Sequence, residues 1–208
     1  MADPTVAPRP ALADVLVAGR YGRIEGPPGL IVSERTGLSL ASIIPRKGQS
    51  GALAALVKSA YGFDLPATPR LGGGPMPDGR SITFIWAGLD QWLAVTEGME
   101  NVERELTAAL GKRAMIADQS DGRCVLRLRG PKAREVLAKG VAVDLHPRVF
   151  KTGDVALTTV AHLGVQLWQL DEAPTFEIAV FRSLAGSFWS WLAASAAEFG
   201  YLVVAEGR

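Results

Sequence analysis

The sequence predicts an α+β protein of mainly antiparallel sheets with packed helices, arranged as two intertwined subdomains. From Ser81 to Phe181, short β-prone runs come in pairs and single helices separate the pairs. The pairs are hairpin-like, which argues against a doubly wound parallel sheet. With 208 residues, 48% apolar and 21% charged, the chain is long enough for a real core.

Residues 1–10, "MADPTVAPRP", are Pro-rich and read as a flexible tail or an extended arm. "GLIVSE" and "GLSLASII" follow as short strands bounded by Gly and Pro. "SGALAALVKSAYG" is a helix: Ser50 can cap it, Leu53, Leu56, Val57 and Ala60 form one stripe, and Gly62 can end it. "LPATPRLGGGPMPDG" reads as a long loop. A subdomain boundary placed there gives an N-terminal α+β portion, 11–78, and a second α+β portion, 79–208.

In the second portion, "SITFIWAG" and "QWLAVTEG" form a strand pair with a turn at Leu89 and Asp90. The helix "MENVERELTAALG" turns Val102, Leu106 and Leu110 inward and stops at Gly111. "AMIADQS" and "RCVLRLRG" read as another strand pair, broken at Ser120–Gly122. "PKAREVLAKG" is a helix, with Pro131 set for its first turn and Gly140 past its last. "VALTTVAHLGVQLWQL" and "TFEIAVF" finish a sheet. The last helix begins near Ser183, with Leu184, Phe188, Trp191, Leu192, Ser195 and Phe199 on one side.

Composition excludes several functions. Lys plus Arg is 22 against 21 for Asp plus Glu, so the chain has no electrostatic footprint for nucleic acid or an anionic membrane. The single cysteine, Cys124, forbids an intrachain disulfide, and His146 and His162 are too few for a zinc motif. Neither a signal peptide nor a membrane-length apolar run is present, and the expected location is cytoplasmic. The triple-glycine segment lacks the Gly-Lys-Ser/Thr step into a helix that a phosphate loop requires, and "RKGQSG" fails the same test. No nucleophile elbow accompanies the histidines; His162 reads as a structural residue of an apolar strand.

In "CVLRLRGPKAREVLAKG", Cys124, Leu126 and Leu128 alternate as core positions. The opposite face carries Arg123, Arg127 and Arg129. Those arginines form either a solvated face or a surface that recognises carboxylates, from a polyglutamate-like ligand or from another chain. Trp189 lies off the stripe of the last helix and reads as an interface anchor. Arg123, Arg127, Arg129 and Trp189 are therefore the candidate subunit interface. No catalytic, cofactor-binding or metal-binding residue is assigned.

"LRLRGPKAREVL" resembles the "LxLQGPxAxxVL" segment of the aminomethyltransferase (glycine-cleavage T-protein) superfamily, which includes folate-binding enzyme domains. "SITFIWAGLDQWLAVTEG" resembles its strand-turn-strand, and "PTFEIAVFRSLAGSFWSWL" its "GFEI" strand and helix. Within the superfamily the likeness is greatest to the gamma subunits of heterotetrameric sarcosine oxidases. The resemblance implies an aminomethyltransferase folate-binding-domain-like fold and, as partners, alpha, beta and delta subunits, mainly alpha. It implies that the other subunits hold FAD, FMN, NAD, tetrahydrofolate and zinc. The whole complex would convert sarcosine to glycine, forming hydrogen peroxide and 5,10-methylenetetrahydrofolate.

The departures from the folate enzymes matter equally. Their Asp-Asp pair is matched here by Arg80–Ser81, with Asp78 out of register. "AHLGVQLWQLDEAPT" lacks the Arg and Tyr that precede their "FEI", although Glu177 survives. An Arg or Ser cannot replace a carboxylate acting on the folate nitrogen. The resemblance therefore implies a non-catalytic gamma subunit; the alternative is a free-standing folate-binding protein or aminomethyltransferase-like enzyme.

Overall fold

Central runs such as "TFEIAVF" are apolar on both faces, so their strands need cover on both sides. A computed structural model, describing residues 9–76, 78–99 and 101–205, meets that need with two stacked sheets and a helix pair outside each. The strands are β1 Gly19–Tyr21, β2 Leu30–Glu34, β3 Leu38–Pro45, β4 Leu71–Pro75, β5 Ser81–Gly88 and β6 Gln91–Glu97. After them come β7 Ala114–Asp118, β8 Arg123–Arg129, β9 Val155–Val160, β10 Leu163–Asp171, β11 Thr175–Phe181 and β12 Tyr201–Val203. The α-helices are α1 Ser50–Tyr61, α2 Val102–Leu110, α3 Ala133–Ala138 and α4 Ala185–Ala196.

One sheet runs β1-β12-β2-β8-β11-β10-β9 and the other β4-β5-β6-β3-β7. Pairing is antiparallel apart from β12 with β2. Cys124, Leu126 and Leu128 of β8 pack with Val136 of α3 and Phe188 of α4, forming one core. Ile43, Phe84 and Ala94 meet Leu53 of α1 and Leu106 of α2 in a second. Between the sheets, Leu40, Ile85 and Leu93 face Val125, Val155, Trp168 and Ala179.

Helix ends follow local chemistry. Asn101 caps α2 by accepting the Arg104 N–H at 2.8 Å. Gly62, at φ 80°, closes α1. Ser50 does not cap α1: its hydroxyl donates to Asp90 instead, at 2.9 Å.

Tertiary pairing corrects several expectations. β7 and β8 are not a hairpin; β7 pairs with β3, whereas β8 lies between β2 and β11 in the other sheet. The stretch read as a loop contains β4, paired with β5. Its glycines suit that place, because a Cβ on Gly73 would lie 2.2 Å from the Ile82 carbonyl oxygen. "VALTTVAHLGVQLWQL" is two strands, not one. Ala161 and His162, both at positive φ, turn between β9 and β10, so His162 is exposed in a turn rather than set in a strand. Strands from the two sides of Gly79 interleave: β3 and β4 share a sheet with β5–β7, and β2 joins β8. Most of the expected tail, residues 1–8, lies outside the described residues.

Candidate functional site

The β8–β11 register determines which side chains meet between the sheets. Arg123 stands opposite Phe181, Val125 opposite Ala179, Arg127 opposite Glu177, and Arg129 opposite Thr175. Val125 and Ala179 belong to the inter-sheet core. The arginine-bearing face of β8 is thus turned toward the second sheet. Each arginine then has a different fate.

Arg127 joins a buried ion cluster. Its Nε donates to Glu177 Oε1 at 2.9 Å and its Nη2 lies 2.7 Å from the same oxygen. Arg35 donates to Oε1 as well, and to Glu97 Oε2 at 2.8 Å. Trp168 Nε1 donates to Glu177 Oε2 at 3.0 Å. Both oxygens of Glu177 are therefore engaged by donors of this chain. The Arg35 and Glu177 side chains are 5% and 6% exposed. Such a cluster joins the residue just past β2 to β6, β8, β10 and β11 and holds the sheets in one relation. A carboxylate so enclosed is poorly placed to reach a substrate.

Arg123 lies at the other end. Its guanidinium stacks 4.0 Å from the Phe181 ring centroid, and its Nε is buried with no hydrogen-bond partner among the described residues. Desolvation by burial pushes its pKa down. It lines a groove of about 650 Å³ between the sheets, with Ser42, Ile44, Gln119, Leu157 and Phe181. Arg129 is exposed. Trp189, expected off the buried stripe, is 9% exposed and stands edge-on to Tyr201 at 5.9 Å. Its area is used inside the chain, because α4 buries Trp189 while Trp191 is only partly covered.

Arg80, expected from the resemblance to stand where folate enzymes carry aspartates, is held by neighbours. Its Nε donates to Asp78 at 2.7 Å and its Nη1 to Glu105 at 2.9 Å. The hydrogen bond to Arg80 holds the Asp78 carboxyl below its usual range. Beside them, burial foremost, helped by Glu105, pushes the Tyr61 phenol up to about 12. Cys124 is buried in the core, and burial, reinforced by the Glu34 charge, pushes its thiol up. Among the described residues, no group of three or more His, Cys, Asp and Glu is placed to hold a metal. No helix among them is long and apolar enough to cross a membrane.

Sequence reasoning missed Arg35, Glu97 and Trp168 as cluster members, and it missed the groove. Arg127 opposite Glu177 would have been legible from the β8–β11 pairing, which the isolated motifs do not give.

Two sheets packed face to face between helix pairs define an aminomethyltransferase-like fold. The glycine cleavage system aminomethyltransferase T from Bartonella henselae shares that fold, at TM-score 0.58 and 15% identity over 86% of this chain and 48% of that one. The family is narrower. The Sarcosine oxidase, gamma subunit family matches residues 47–198. Sarcosine oxidase subunit gamma from Corynebacterium sp. (strain P-1) is 35% identical over 151 residues, 72% of each chain. Its counterpart from Corynebacterium sp. (strain U-96) is 32% identical over 152 residues, 73% of this chain and 72% of that one. A chain of heterotetrameric sarcosine oxidase from Corynebacterium sp. U-96, in complex with pyrrole 2-carboxylate, superposes at TM-score 0.75 with 27% identity, covering 92% and 96% of the two chains. This chain belongs to the sarcosine oxidase gamma subunit family.

Proposed function

We propose that this chain is the non-catalytic, structural gamma subunit of a cytoplasmic heterotetrameric sarcosine oxidase. Its partners are alpha, beta and delta subunits, chiefly alpha. They hold FAD, FMN, NAD, tetrahydrofolate and zinc, and the whole complex oxidatively demethylates sarcosine to glycine, forming hydrogen peroxide and 5,10-methylenetetrahydrofolate. The observation that carries the structural role is the engagement of Glu177. The one acidic residue retained from the folate-enzyme motif accepts from Arg35, Arg127 and Trp168 inside the fold. The other expected acidic position is Arg80, tied to Asp78 and Glu105. These residues do not fit a folate-handling acid, and no chemical step is assigned to them.

The test is to co-express the other subunits with and without this chain. Sarcosine-dependent peroxide release and complex size are then measured, and the purified chain is titrated with tetrahydrofolate. The chain is expected in the complex at one copy, with assembly or stability impaired when it is omitted, and with no folate binding of its own. A complete, fully stable complex lacking the chain would overturn the structural role. Saturable folate binding by the chain alone would overturn its non-catalytic character and favour a folate-binding protein.

A further inference from the structure

Arg123 is a cation half withdrawn from water whose guanidinium is not satisfied by the described residues. Among the described residues no carboxylate forms a salt bridge with it, and its Nε is buried without a partner. Stacking on Phe181 covers one face of the guanidinium and leaves its edge for an acceptor. Around it, the groove lining contains no other charged residue; Ser42, Gln91, Gln119 and Gln166 are neutral. Among the described residues the groove therefore carries one uncompensated positive charge, and its complement is a single carboxylate.

Apolar surface surrounds that charge. Phe181 is 48% exposed, Leu157 47% and Ile44 39%, and all three line the groove. They are three of the nine exposed large apolar side chains among the described residues, gathered at one place. Isolated exposed apolar residues need no explanation, whereas a cluster around a desolvated arginine has the composition of an interface centre. β9, which carries Leu157, ends the strand order of its sheet, but Pro69 already bridges its outer edge at Val155 and Val141–Ala142 bridge it at Val160 and Thr159, so a partner meets the groove through side chains.

We propose that this inter-sheet groove is the docking site for a segment of another subunit, one that brings a single Asp or Glu carboxylate to Arg123 and apolar side chains onto Phe181, Leu157 and Ile44. The assignment rests on the structural-subunit reading above and specifies which surface of the chain meets a partner. Arg127 takes no direct role, because its charge is matched internally by Glu177.

The experiment uses the assembled complex, with the affinity tag on another subunit. This chain is co-expressed unchanged or as Arg123→Leu or Arg123→Glu, and the amount retained is read at low and high salt. Arg123→Glu is expected to lower retention by about tenfold or more, since it sets like charges against each other. Arg123→Leu is expected to lower retention while the isolated chain melts at or above the temperature of the unchanged one, because a desolvated cation is removed. If Arg123→Glu does not fold, Arg123→Leu alone decides. A photo-reactive residue substituted for Leu157 is expected to cross-link to another subunit. Unchanged retention of the folded variants would overturn the groove assignment and leave the structural-subunit reading standing. Failure of the unchanged chain to co-purify would overturn both. A cross-link solely to a second copy of this chain would overturn the assigned partner.

Discussion

Replacing Glu177 by Gln removes the one charge that two guanidiniums share inside the sandwich. Arg35 is 5% exposed at its side chain and would keep its pair with Glu97, whose side chain is 68% exposed. Arg127 would lose both of its contacts to Oε1. The amide also turns an N–H₂ group toward cations. Breaking a buried pair from one side costs about 3–5 kcal/mol, because the remaining charge stays desolvated. At roughly 2.1 cal/mol/K of unfolding entropy per residue, a chain of 208 residues would lose about 7–11 °C in melting temperature. Calorimetry of the purified chain reads this directly. Glu97→Gln is the internal control: exposed as it is, it should cost under about 1 kcal/mol. A Glu177→Gln loss no larger than the Glu97→Gln loss would refute a desolvated cluster. Loss of sarcosine turnover per assembled complex, with stability unchanged, would refute its structural assignment.

Two further outcomes are expected. The folded state favours the neutral form of Tyr61, so its contribution to stability is complete below the ordinary phenol value near 10 and falls as pH rises toward about 12. Tyr61→Phe, which also removes a hydroxyl without a partner among the described residues, should be neutral or slightly stabilising and should flatten that alkaline fall; thermal melts across the alkaline range check it, and an unchanged slope contradicts it. Cys124 should resist thiol reagents until the chain unfolds, because it is buried and its thiolate is disfavoured. Stoichiometric labelling under native conditions would show that β8 opens on its helix side.

Local pattern carried much of the fold. Val102, Leu106 and Leu110 recur at helical spacing and lie buried in α2 as read. The β5–β6 pair was legible because Leu89 and Asp90 interrupt two β-prone runs. The β9–β10 turn was not, since Ala161 and His162 adopt positive φ without the Asn or Gly that usually signals it. β4 was hidden because "LGGGP" has loop composition, and only its close pairing with β5 makes glycine the fitting residue. Trp189 misled because helical spacing leaves it beside the stripe, whereas Tyr201 from β12 comes up to cover it.

By itself the sequence determined the α+β class and the inward places of Cys124, Leu126 and Leu128. These follow from periodicity and residue chemistry, which need no partner to be read. Only the tertiary structure decided what the three arginines of β8 do. They share one face and one spacing, yet strand pairing sets Arg127 against Glu177 and Arg123 against Phe181, while Arg129 remains exposed. The physical reason is that a charge takes its role from what desolvates or neutralises it, and those neighbours come from strands tens of residues away.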